Sequence, residues 1–263
     1  MLEIEFFKYH GTGNDFILID NRELFFQADQ AIIEKLCDRR FGIGADGLIL
    51  LQNHADFDFE MRYFNSDGRE ASMCGNGGRC AVAFAKKLGI IQNQTSFHAF
   101  DGLHKASITN EMIELSMSDV TEVSKTEDMY LLDTGSPQAV LFVSDLKNTD
   151  VHETGSRIRY DKKVSADGVN VNFVEVISPS VIQIRTYERG VEAETWSCGT
   201  GSVASAIVSL LKNNIASTAY QTEVNVRGGK LKVSFETADR KCFTDIKLIG
   251  PAALVFSGKI TLS

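Results

Sequence analysis

The sequence predicts an α+β fold of two pseudo-symmetric repeats, each a mixed, curled β-sheet around a central apolar helix, with the functional site in the cleft between them. Three observations support this prediction. The segment from Tyr63 to Gly77 (YFNSDGREASMCGNG) recurs 124 positions later, from Tyr187 to Gly201 (YERGVEAETWSCGTG). Two other blocks recur in the same order: Thr12-Gly13 as Thr134-Gly135, and Ala45-Asp46-Gly47 as Ala166-Asp167-Gly168. An apolar segment follows each Cys-Gly-x-Gly.

The repeat sets the expected domain boundaries. We expect residues 1–118 to form an N-terminal repeat joined by the final strand at 252–263, and residues 119–251 to form a C-terminal repeat. Each repeat is close to the usual size of a domain.

Most of the predicted elements are strands, because runs of β-branched and aromatic residues are bounded by Gly, Asn and Asp. In chain order, the predicted strands are Ile4 to Phe7, Phe16 to Asp20, Leu48 to Leu51, Phe57 to Phe64, Val140 to Val143, Val169 to Val176, Val181 to Tyr187, Glu223 to Val226, Lys230 to Phe235 and Leu254 to Leu262.

Three helices are predicted. Apolar spacing indicates an amphipathic helix from Gln30 to Arg39. The segments Arg79 to Leu88 and Val203 to Leu211 are small and apolar on nearly every side, as in CAVAFA and VASAIVSLL. Because a helix without a polar face must be enclosed, we expect each of these two to lie inside its sheet.

Composition excludes several classes of protein. The 263 residues are 43% hydrophobic, which is enough for two cores. A net charge of -8 argues against nucleic acid as a partner, because binding phosphates needs a basic face. No apolar run reaches the roughly 18 residues of a membrane-spanning helix, and the N-terminus does not resemble a signal peptide. Together with an odd count of five cysteines, this predicts a cytoplasmic protein with reduced thiols.

Cys74 and Cys198 are the candidate catalytic residues. A lone cysteine is usually a small buried hydrophobe, and Cys37, Cys80 and Cys242 keep that interpretation. Cys74 and Cys198 each precede a glycine-rich turn into a helix. There, free N–H groups and the helix dipole favour the thiolate and lower its pKa from about 8.5 towards roughly 3.5–7.5.

Two such thiols facing one carbon could remove a proton from one side and return it to the other. The backbone N–H groups at the same helix ends form an anion site for a substrate carboxylate, which the residues Gly75, Asn76, Gly199 and Thr200 would supply.

No motif implies a cofactor or a metal. Gly42 to Gly47 matches G-x-G-x-x-G but precedes a strand instead of opening a helix, so it does not indicate a dinucleotide site. The sequence contains no P-loop, no Cys-x-x-Cys and no pair of histidines at i and i+4. We therefore expect catalysis without a cofactor, including pyridoxal phosphate, and without a metal.

The chain resembles diaminopimelate epimerases. The resemblance rests on KYHGTGNDF (Lys8 to Phe16), RRFGIGADG (Arg39 to Gly47), FNSDGREASMCGNGGRC (Phe64 to Cys80), GVNVNF (Gly168 to Phe173) and the second cysteine motif, YERGVEAETWSCGTG. It implies a homodimeric isomerase that interconverts LL- and meso-2,6-diaminoheptanedioate in lysine and peptidoglycan precursor biosynthesis.

The same resemblance assigns residue roles. Cys74 and Cys198 would be the acid/base pair, and Gly75-Asn76 with Gly199-Thr200 would hold the reacting carboxylate. The distal amino acid group of this diamino dicarboxylic substrate would be fixed by Asn14, Asn65, Asn170, Glu188 and Arg189. Such a substrate requires donors for a carboxylate and an acceptor for an ammonium, which these side chains supply.

Two alternatives stay open. A related racemase or epimerase acting on proline, hydroxyproline or histidine would keep both cysteines but lack the distal residues, and an isomerase of the same fold would lose one thiol. The sequence also departs from the family pattern, because Ser136-Pro137-Gln138 carries a glutamine where the family usually has histidine. Gln138 can hydrogen bond but cannot carry a proton.

Overall fold

The computed structural model describes residues 2–126, 128–213 and 218–262. The chain forms two compact units. Unit 1 comprises Met1–Leu115 and Pro251–Ser263, and unit 2 comprises Ser116–Gly250. Among the described residues, no helix is long and apolar enough to span a membrane.

Strands dominate both units. The strands are β1 (Leu2–Gly11), β2 (Asn14–Asp20), β3 (Gly47–Gln52), β4 (Phe59–Asn65), β5 (Glu70–Ala71), β6 (Gln94–Ala99), β7 (Gly102–Thr109), β8 (Met112–Ser116), β9 (Val123–Lys125), β10 (Tyr130–Asp133), β11 (Pro137–Phe142), β12 (Asn170–Ser178), β13 (Val181–Glu188), β14 (Ala193–Thr195), β15 (Ala219–Val226), β16 (Gly229–Glu236), β17 (Thr244–Gly250) and β18 (Ala253–Leu262). The helices are α1 (Gln30–Cys37), α2 (Gly75–Lys87), α3 (Val151–Arg159) and α4 (Gly199–Lys212).

The two units share one strand order. In unit 1 the pairings run β18-β1-β2-β3-β4-β6-β7-β8, with β5 paired to β4. In unit 2 they run β9-β10-β11-β12-β13-β15-β16-β17, with β14 paired to β13. The parallel pairs fall at equivalent places, β2/β3 and β4/β6 in one unit and β11/β12 and β13/β15 in the other. The predicted α+β class and its internal repeat are confirmed.

Each unit uses its helices as crossovers, because parallel neighbours cannot be joined by a tight turn. α1 and α3 connect the first parallel pair in each unit, and α2 and α4 connect the second. α4 contacts β10, β11, β12, β13, β15, β16 and β17, which a flat sheet could not all bring to one helix. The sheet of unit 2 therefore curls around α4, whose residues from Gly201 to Leu210 are all buried.

The helix boundaries correct the sequence prediction in three places. α2 and α4 begin at Gly75 and Gly199, not at Arg79 and Val203, so each Gly-x-Gly is the first helical turn. The low helix propensity of glycine hid this turn. α1 ends at Cys37 rather than Arg39, because the Asp38 carboxylate accepts hydrogen bonds from the next backbone N–H groups and turns the chain.

The helix α3 was not predicted. Its signals are the N-cap Asp150, which accepts a hydrogen bond from the Glu153 N–H, and the buried positions Val151, Gly155 and Ile158. Gly155 weakened the apolar pattern, yet a side chain there would collide with Tyr187, since an added Cβ would lie 2.5 Å from Tyr187 Cβ.

Candidate active site

Both predicted cysteines are N-cap residues. Cys74 caps α2 and Cys198 caps α4, each in an extended backbone conformation that turns the chain into the helix. The first N–H groups of a helix have no partner within it, and they carry the positive end of the helix dipole. Each sulfur therefore lies where the local backbone favours an anion. Cys198 is 5% exposed, whereas Cys74 is half-buried.

The sulfur of Cys198 caps its helix directly. The Gly201 N–H donates to Cys198 Sγ at 3.4 Å, and the Thr200 hydroxyl lies 3.5 Å from the same sulfur. Gly201 is required for this packing, because an added Cβ would lie 2.2 Å from Asn172 Oδ1 and 3.2 Å from the sulfur.

Thr200 is held by the side chains of Ser136 and of Gln138 in β11. Gln138 Nε2 donates to Thr200 Oγ1 at 3.0 Å and to Ser136 Oγ at 2.8 Å, and the two hydroxyl oxygens are 3.1 Å apart. Asn170 Nδ2 donates to Ser136 Oγ, while its Oδ1 accepts the Arg189 backbone N–H at 2.8 Å. We call Ser136, Gln138, Asn170, Cys198 and Thr200 the Cys198 half-site.

A buried asparagine orients Gln138. Asn172 Nδ2 donates to Gln138 Oε1 at 2.9 Å and to the Ala139 carbonyl at 3.2 Å, and Asn172 Oδ1 accepts from the Thr186 hydroxyl. Asn172 is fully buried and Gln138 is 1% exposed. Gln138, which replaces the histidine that the resemblance leads one to expect, contacts Thr200, whose hydroxyl lies beside the Cys198 sulfur.

The surroundings of Cys74 use different groups. Cys74 Sγ lies 3.7 Å from Asn14 Oδ1, which also accepts from Asn76 Nδ2 at 3.1 Å. Asn14 Nδ2 donates to the Asp46 carboxylate at 2.7 Å. Unlike Cys198, Cys74 makes no side-chain capping bond to its own helix.

A buried arginine holds Asn76. Arg79 is fully buried, and its Nη2 donates to Asn76 Oδ1 at 2.9 Å while Nη1 donates to the Gly75 carbonyl at 3.1 Å. Weaker contacts reach the Thr12 hydroxyl and the Pro251 carbonyl. Burial lowers the pKa of the Arg79 guanidinium, and the nearby thiols of Cys80 and Cys74 oppose that shift. We call Asn14, Asp46, Cys74, Asn76 and Arg79 the Cys74 half-site.

An ion-pair network supports Asp46. Arg39 bridges the carboxylates of Asp15 and Asp46 at 2.6 Å, and the buried ammonium of Lys8 pairs with Asp15 at 2.7 Å and donates to the Gly44 carbonyl. Burial alone would raise the pKa of Asp15, but hydrogen bonds from Arg39 and Lys8 outweigh it and lower that pKa to about 2. Asp15 is therefore a carboxylate throughout the neutral range.

The remaining predicted residues lie at strand ends. Asn65 is exposed at the end of β4, and its Oδ1 lies 2.7 Å from the Tyr63 hydroxyl. Glu188 ends β13, and Arg189 follows it. In unit 1, Asn14 contacts both Cys74 and Asn76. In unit 2, Ser136 links Asn170 to Thr200, which in turn contacts Cys198.

Two of the other cysteines are buried. Cys37, the last residue of α1, packs in the core of unit 1, and burial raises the pKa of its thiol to about 12. Burial also raises the pKa of the Cys80 thiol well above its ordinary value. Neither supplies a thiolate at neutral pH. In the part of the chain that the structure describes, no cluster of His, Cys, Asp and Glu could hold a metal ion.

Comparison with known proteins identifies the family. The family model described as diaminopimelate epimerase matches residues 6–125 and 130–255. The diaminopimelate epimerase of Flavobacterium psychrophilum is 53% identical over 259 residues, covering 98% of this chain and all of that protein. The chain belongs to the diaminopimelate epimerase family. It is accordingly an isomerase of the epimerase class.

Solved structures show that the fold is shared more widely. A Bacillus anthracis phenazine biosynthesis protein of the PhzF family superimposes with a TM-score of 0.77 at 17% identity, and the match covers both chains completely. A hydroxyproline epimerase from Agrobacterium vitis superimposes with a TM-score of 0.72 at 15% identity, covering 98% of this chain and 91% of the other. At these identities the likeness concerns the fold alone.

Sequence reasoning gave no role to several side chains that support the cysteines. Arg79, Asp46, Ser136, Asn172 and Thr186 all belong to these networks. The repeat contained part of the signal. Asn14 matches Ser136 and Asn76 matches Thr200, and in each unit the first of these contacts the second.

Proposed function

We propose that the protein interconverts LL- and meso-2,6-diaminoheptanedioate by a two-base mechanism, without cofactor or metal, and so supplies lysine and peptidoglycan precursors. Cys74 and Cys198 at equivalent helix N-termini of two repeats support the proposal most strongly. One thiolate removes the α-hydrogen, and the opposite thiol protonates the carbanion on its other face. Two groups fixed on opposite sides of the carbon invert it without having to move around it.

Backbone donors stabilise the reacting group. The first-turn N–H groups at Gly75 and Asn76, and at Gly199 and Thr200, would hold the carboxylate attached to the reacting carbon. When the α-hydrogen leaves, negative charge spreads onto this carboxylate. Donors already aimed at it stabilise the transition state more than the ground state.

The distal group is recognised by donors and one acceptor. The oxygens of the Asn14 and Asn170 amides already accept hydrogen bonds, whereas each Nδ2 donates one bond and has a second N–H to offer. These two amides therefore suit a carboxylate, as do Asn65 and the Arg189 guanidinium. Glu188 would accept from the distal ammonium.

The activity can be tested directly. Purified protein is incubated with LL-diaminoheptanedioate, with a metal chelator and without pyridoxal phosphate, and formation of the meso isomer is followed by chiral chromatography. We expect conversion to an equilibrium mixture. L-Proline and trans-4-hydroxy-L-proline serve as substrate controls. Turnover of either control in place of the diamino acid, or activity that returns only with added metal, would contradict the proposal.

Hydrogen exchange tests the two-base mechanism. In deuterated water, early meso product should carry deuterium at the inverted carbon, while recovered LL substrate carries little. A single base that removes and returns the same hydrogen would give product without deuterium.

We further propose a cytoplasmic homodimer. Thiolate catalysis requires a reducing compartment, and the five cysteines form no disulfide. On the terminal strand β18, which pairs with β1, Leu254, Val255 and Phe256 are 42%, 56% and 48% exposed. Such an apolar strand is a suitable surface for a second copy. Sedimentation should show a dimer that Val255→Lys weakens, and a monomeric wild-type protein would contradict this.

A further inference from the structure

The direction of the hydrogen bonds around Cys198 is fixed by the backbone. The Ala139 carbonyl can only accept, so the Asn172 side chain must direct its NH₂ group at it. The same NH₂ group donates to Gln138, so the Gln138 atom that accepts must be Oε1. Gln138 Nε2 therefore donates to Ser136 and Thr200. From the other side, the Arg189 N–H fixes Asn170 Oδ1 as acceptor, so Asn170 Nδ2 also donates to Ser136.

These donors determine where the two hydroxyl protons point. A hydroxyl offers two lone pairs and one proton. Ser136 Oγ accepts from Gln138 and Asn170, so its proton goes to Thr200 Oγ1. Thr200 Oγ1 accepts from Ser136 and Gln138, so its own proton goes to Cys198 Sγ. The sulfur of Cys198 thus receives this O–H and the Gly201 N–H.

The hydrogen bonds around Cys74 have the opposite direction. The Arg79 guanidinium can only donate, which fixes Asn76 Oδ1 as acceptor and Asn76 Nδ2 as donor to Asn14. The Asp46 carboxylate accepts from Asn14 Nδ2. Asn14 therefore presents its oxygen to Cys74, and an S–H can donate to this oxygen whereas a thiolate would be repelled by it.

We propose that in the ligand-free protein Cys198 is the thiolate and Cys74 holds the proton. Hydrogen bonds donated to an ionised group stabilise it, and an acceptor facing a thiol stabilises the protonated form. Gln138, Ser136, Asn170 and Asn172 are then positioning residues that act through Thr200. This assignment rests on the proposed function, since it names which of the two catalytic thiols is the resting base.

Most of the charged groups described above lie near Cys74. The side chains described above as contacting Cys198 and Thr200 within unit 2 are uncharged. Near Cys74, the positive charge of Arg79 acts through space in favour of a Cys74 thiolate, but its N–H groups are directed at Asn76, Thr12 and two carbonyls. The Asp46 carboxylate accepts from Asn14, and the carboxylates of Asp46 and Asp15 are neutralised by Lys8 and Arg39.

The assignment gives the reaction a defined start. The Cys198 thiolate removes the α-hydrogen from the isomer that presents it there and becomes a thiol. The Cys74 thiol gives its proton to the opposite face and becomes a thiolate. Proton exchange with water then has to restore the resting form, and the hydrogen bonds of both half-sites favour that return.

The pH dependence of alkylation can test this assignment without substrate. Iodoacetamide reacts with thiolates, so the pH at which the alkylation rate reaches half its maximum reports the ionisation of the thiol. The accessibility of the sulfur changes the rate by the same factor at every pH and does not move this midpoint. The Cys74→Ala variant reports Cys198, and Cys198→Ala reports Cys74, with each peptide quantified by mass spectrometry. We expect the Cys198 midpoint to lie at least about one pH unit below that of Cys74, the size expected for a charge-assisted hydrogen bond.

Thr200 variants isolate the contribution of the relay, by which we mean the hydrogen bonds that run from Gln138 and Ser136 through Thr200 to Cys198. In the Cys74→Ala background, Thr200→Val should raise the Cys198 midpoint by about one unit, whereas Thr200→Ser should leave it unchanged. In the Cys198→Ala background, Thr200→Val should not move the Cys74 midpoint. Gln138→Met, which keeps the volume and removes the amide, is a second variant and should also raise the Cys198 midpoint. Thermal melting confirms that each variant is folded.

The outcomes separate the two proposals. A lower midpoint for Cys74 than for Cys198 would overturn the assignment of the resting thiolate, and so would a Cys198 midpoint that neither Thr200→Val nor Gln138→Met moves. Neither result would contradict the proposed epimerase function. Lack of turnover on diaminoheptanedioate would contradict the proposed function and leave the measured midpoints standing.

Discussion

The two half-sites have the same backbone and opposite hydrogen-bond direction. Each cysteine caps a helix that follows the same strands in the same order. The residue directly after the repeated Thr-Gly, which is Asn14 in unit 1 and Ser136 in unit 2, contacts the second helical residue, Asn76 or Thr200. In the Cys74 half-site the last group facing the sulfur is an acceptor. In the Cys198 half-site the groups facing it are donors.

In the proposed two-base mechanism, this difference lets a repeated fold serve a reaction that needs unlike partners. Duplication supplies two thiols at equivalent positions, but the proposed inversion of a carbon needs one base and one acid at any moment. Side-chain exchange at matched positions supplies the difference. Arg79, which fixes the Cys74 half-site, matches Val203, and Gln138, which fixes the Cys198 half-site, matches Phe16.

Removing either thiol should have the largest effect on turnover, because the reaction then lacks either its base or its acid. Cys74→Ala and Cys198→Ala should each lower epimerisation of LL-diaminoheptanedioate by at least about 10² to 10⁴-fold, the range for one acid or base group. Serine in place of either cysteine should be severely impaired as well, since a hydroxyl is a weaker acid. Near-normal turnover in one alanine variant would remove that cysteine from the mechanism.

The sequence was sufficient to place both thiols at helix starts but not to identify the groups that distinguish them. The doubled Cys-Gly-x-Gly placed Cys74 and Cys198 at helix starts because glycine and small residues form a local pattern. Asn172 was invisible for the opposite reason. It lies in an apolar strand run, and its role depends on partners in β11 and β13 that are distant in sequence.

The same limit applies to Arg79 and to the distal residues. An arginine in a helix is usually exposed, and only the packed structure shows Arg79 enclosed with amide and carbonyl partners. Asn14, predicted from the family resemblance to bind the distal group, lies against Cys74. Its role at the distal group stays a prediction.

The matched glycines provide a sharper comparison between the units. An added Cβ at Gly201 would lie 2.2 Å from Asn172 Oδ1, whereas at Gly77 the nearest atom is Ile49 Cδ1 at 3.3 Å. Gly201→Ala should therefore destabilise the protein by about 1–3 kcal/mol. Gly77→Ala should cost much less, because the roughly 1 kcal/mol gained in helix propensity offsets the tighter contact.

Urea unfolding of both variants measures this difference through the transition midpoints. Equal losses of stability would show that the Asn172 amide moves aside at little cost. The relay from Gln138 to Thr200 would then be less rigid than the structure indicates.

The ion-pair network distinguishes unit 1 by its pH dependence. The pKa of Asp15 is about 2 in the folded protein against an ordinary 3.8. Because the folded value is lower, this group stabilises the fold above about pH 4, and the contribution is lost as pH falls towards 2. Asp15→Asn should cost roughly 2 kcal/mol at pH 7 and progressively less below pH 4.

A matched control for Asp15 lies on the same strand. Asp20 pairs with Arg22 at 2.6 Å near the surface, so Asp20→Asn should cost less than about 1 kcal/mol. Denaturant unfolding at several pH values checks both variants. A loss for Asp15→Asn that stays constant down to pH 2 would show that the carboxylate charge is not the source of the effect.

Restoring histidine at position 138 should have the smallest effect. Asn172 Nδ2 donates towards the side chain at this position, and Thr200 Oγ1 accepts from it, so a neutral imidazole with one acceptor and one donor nitrogen can replace the glutamine in the relay. A protonated imidazole would instead direct an N–H at the Asn172 NH₂. The imidazole of Gln138→His should therefore stay neutral, the turnover rate should change less than about tenfold, and no new ionisation should enter the pH–rate profile between about pH 6 and 8.

Kinetic measurements across that pH range test this prediction, with Gln138→Met as the control variant that lacks both the hydrogen-bond donor and the acceptor. A new ionisation with a raised rate would mean that a cation at position 138 stabilises the Cys198 thiolate directly. The hydrogen bonds that start from the uncharged Gln138 would then stabilise this thiolate less than a charged imidazole does.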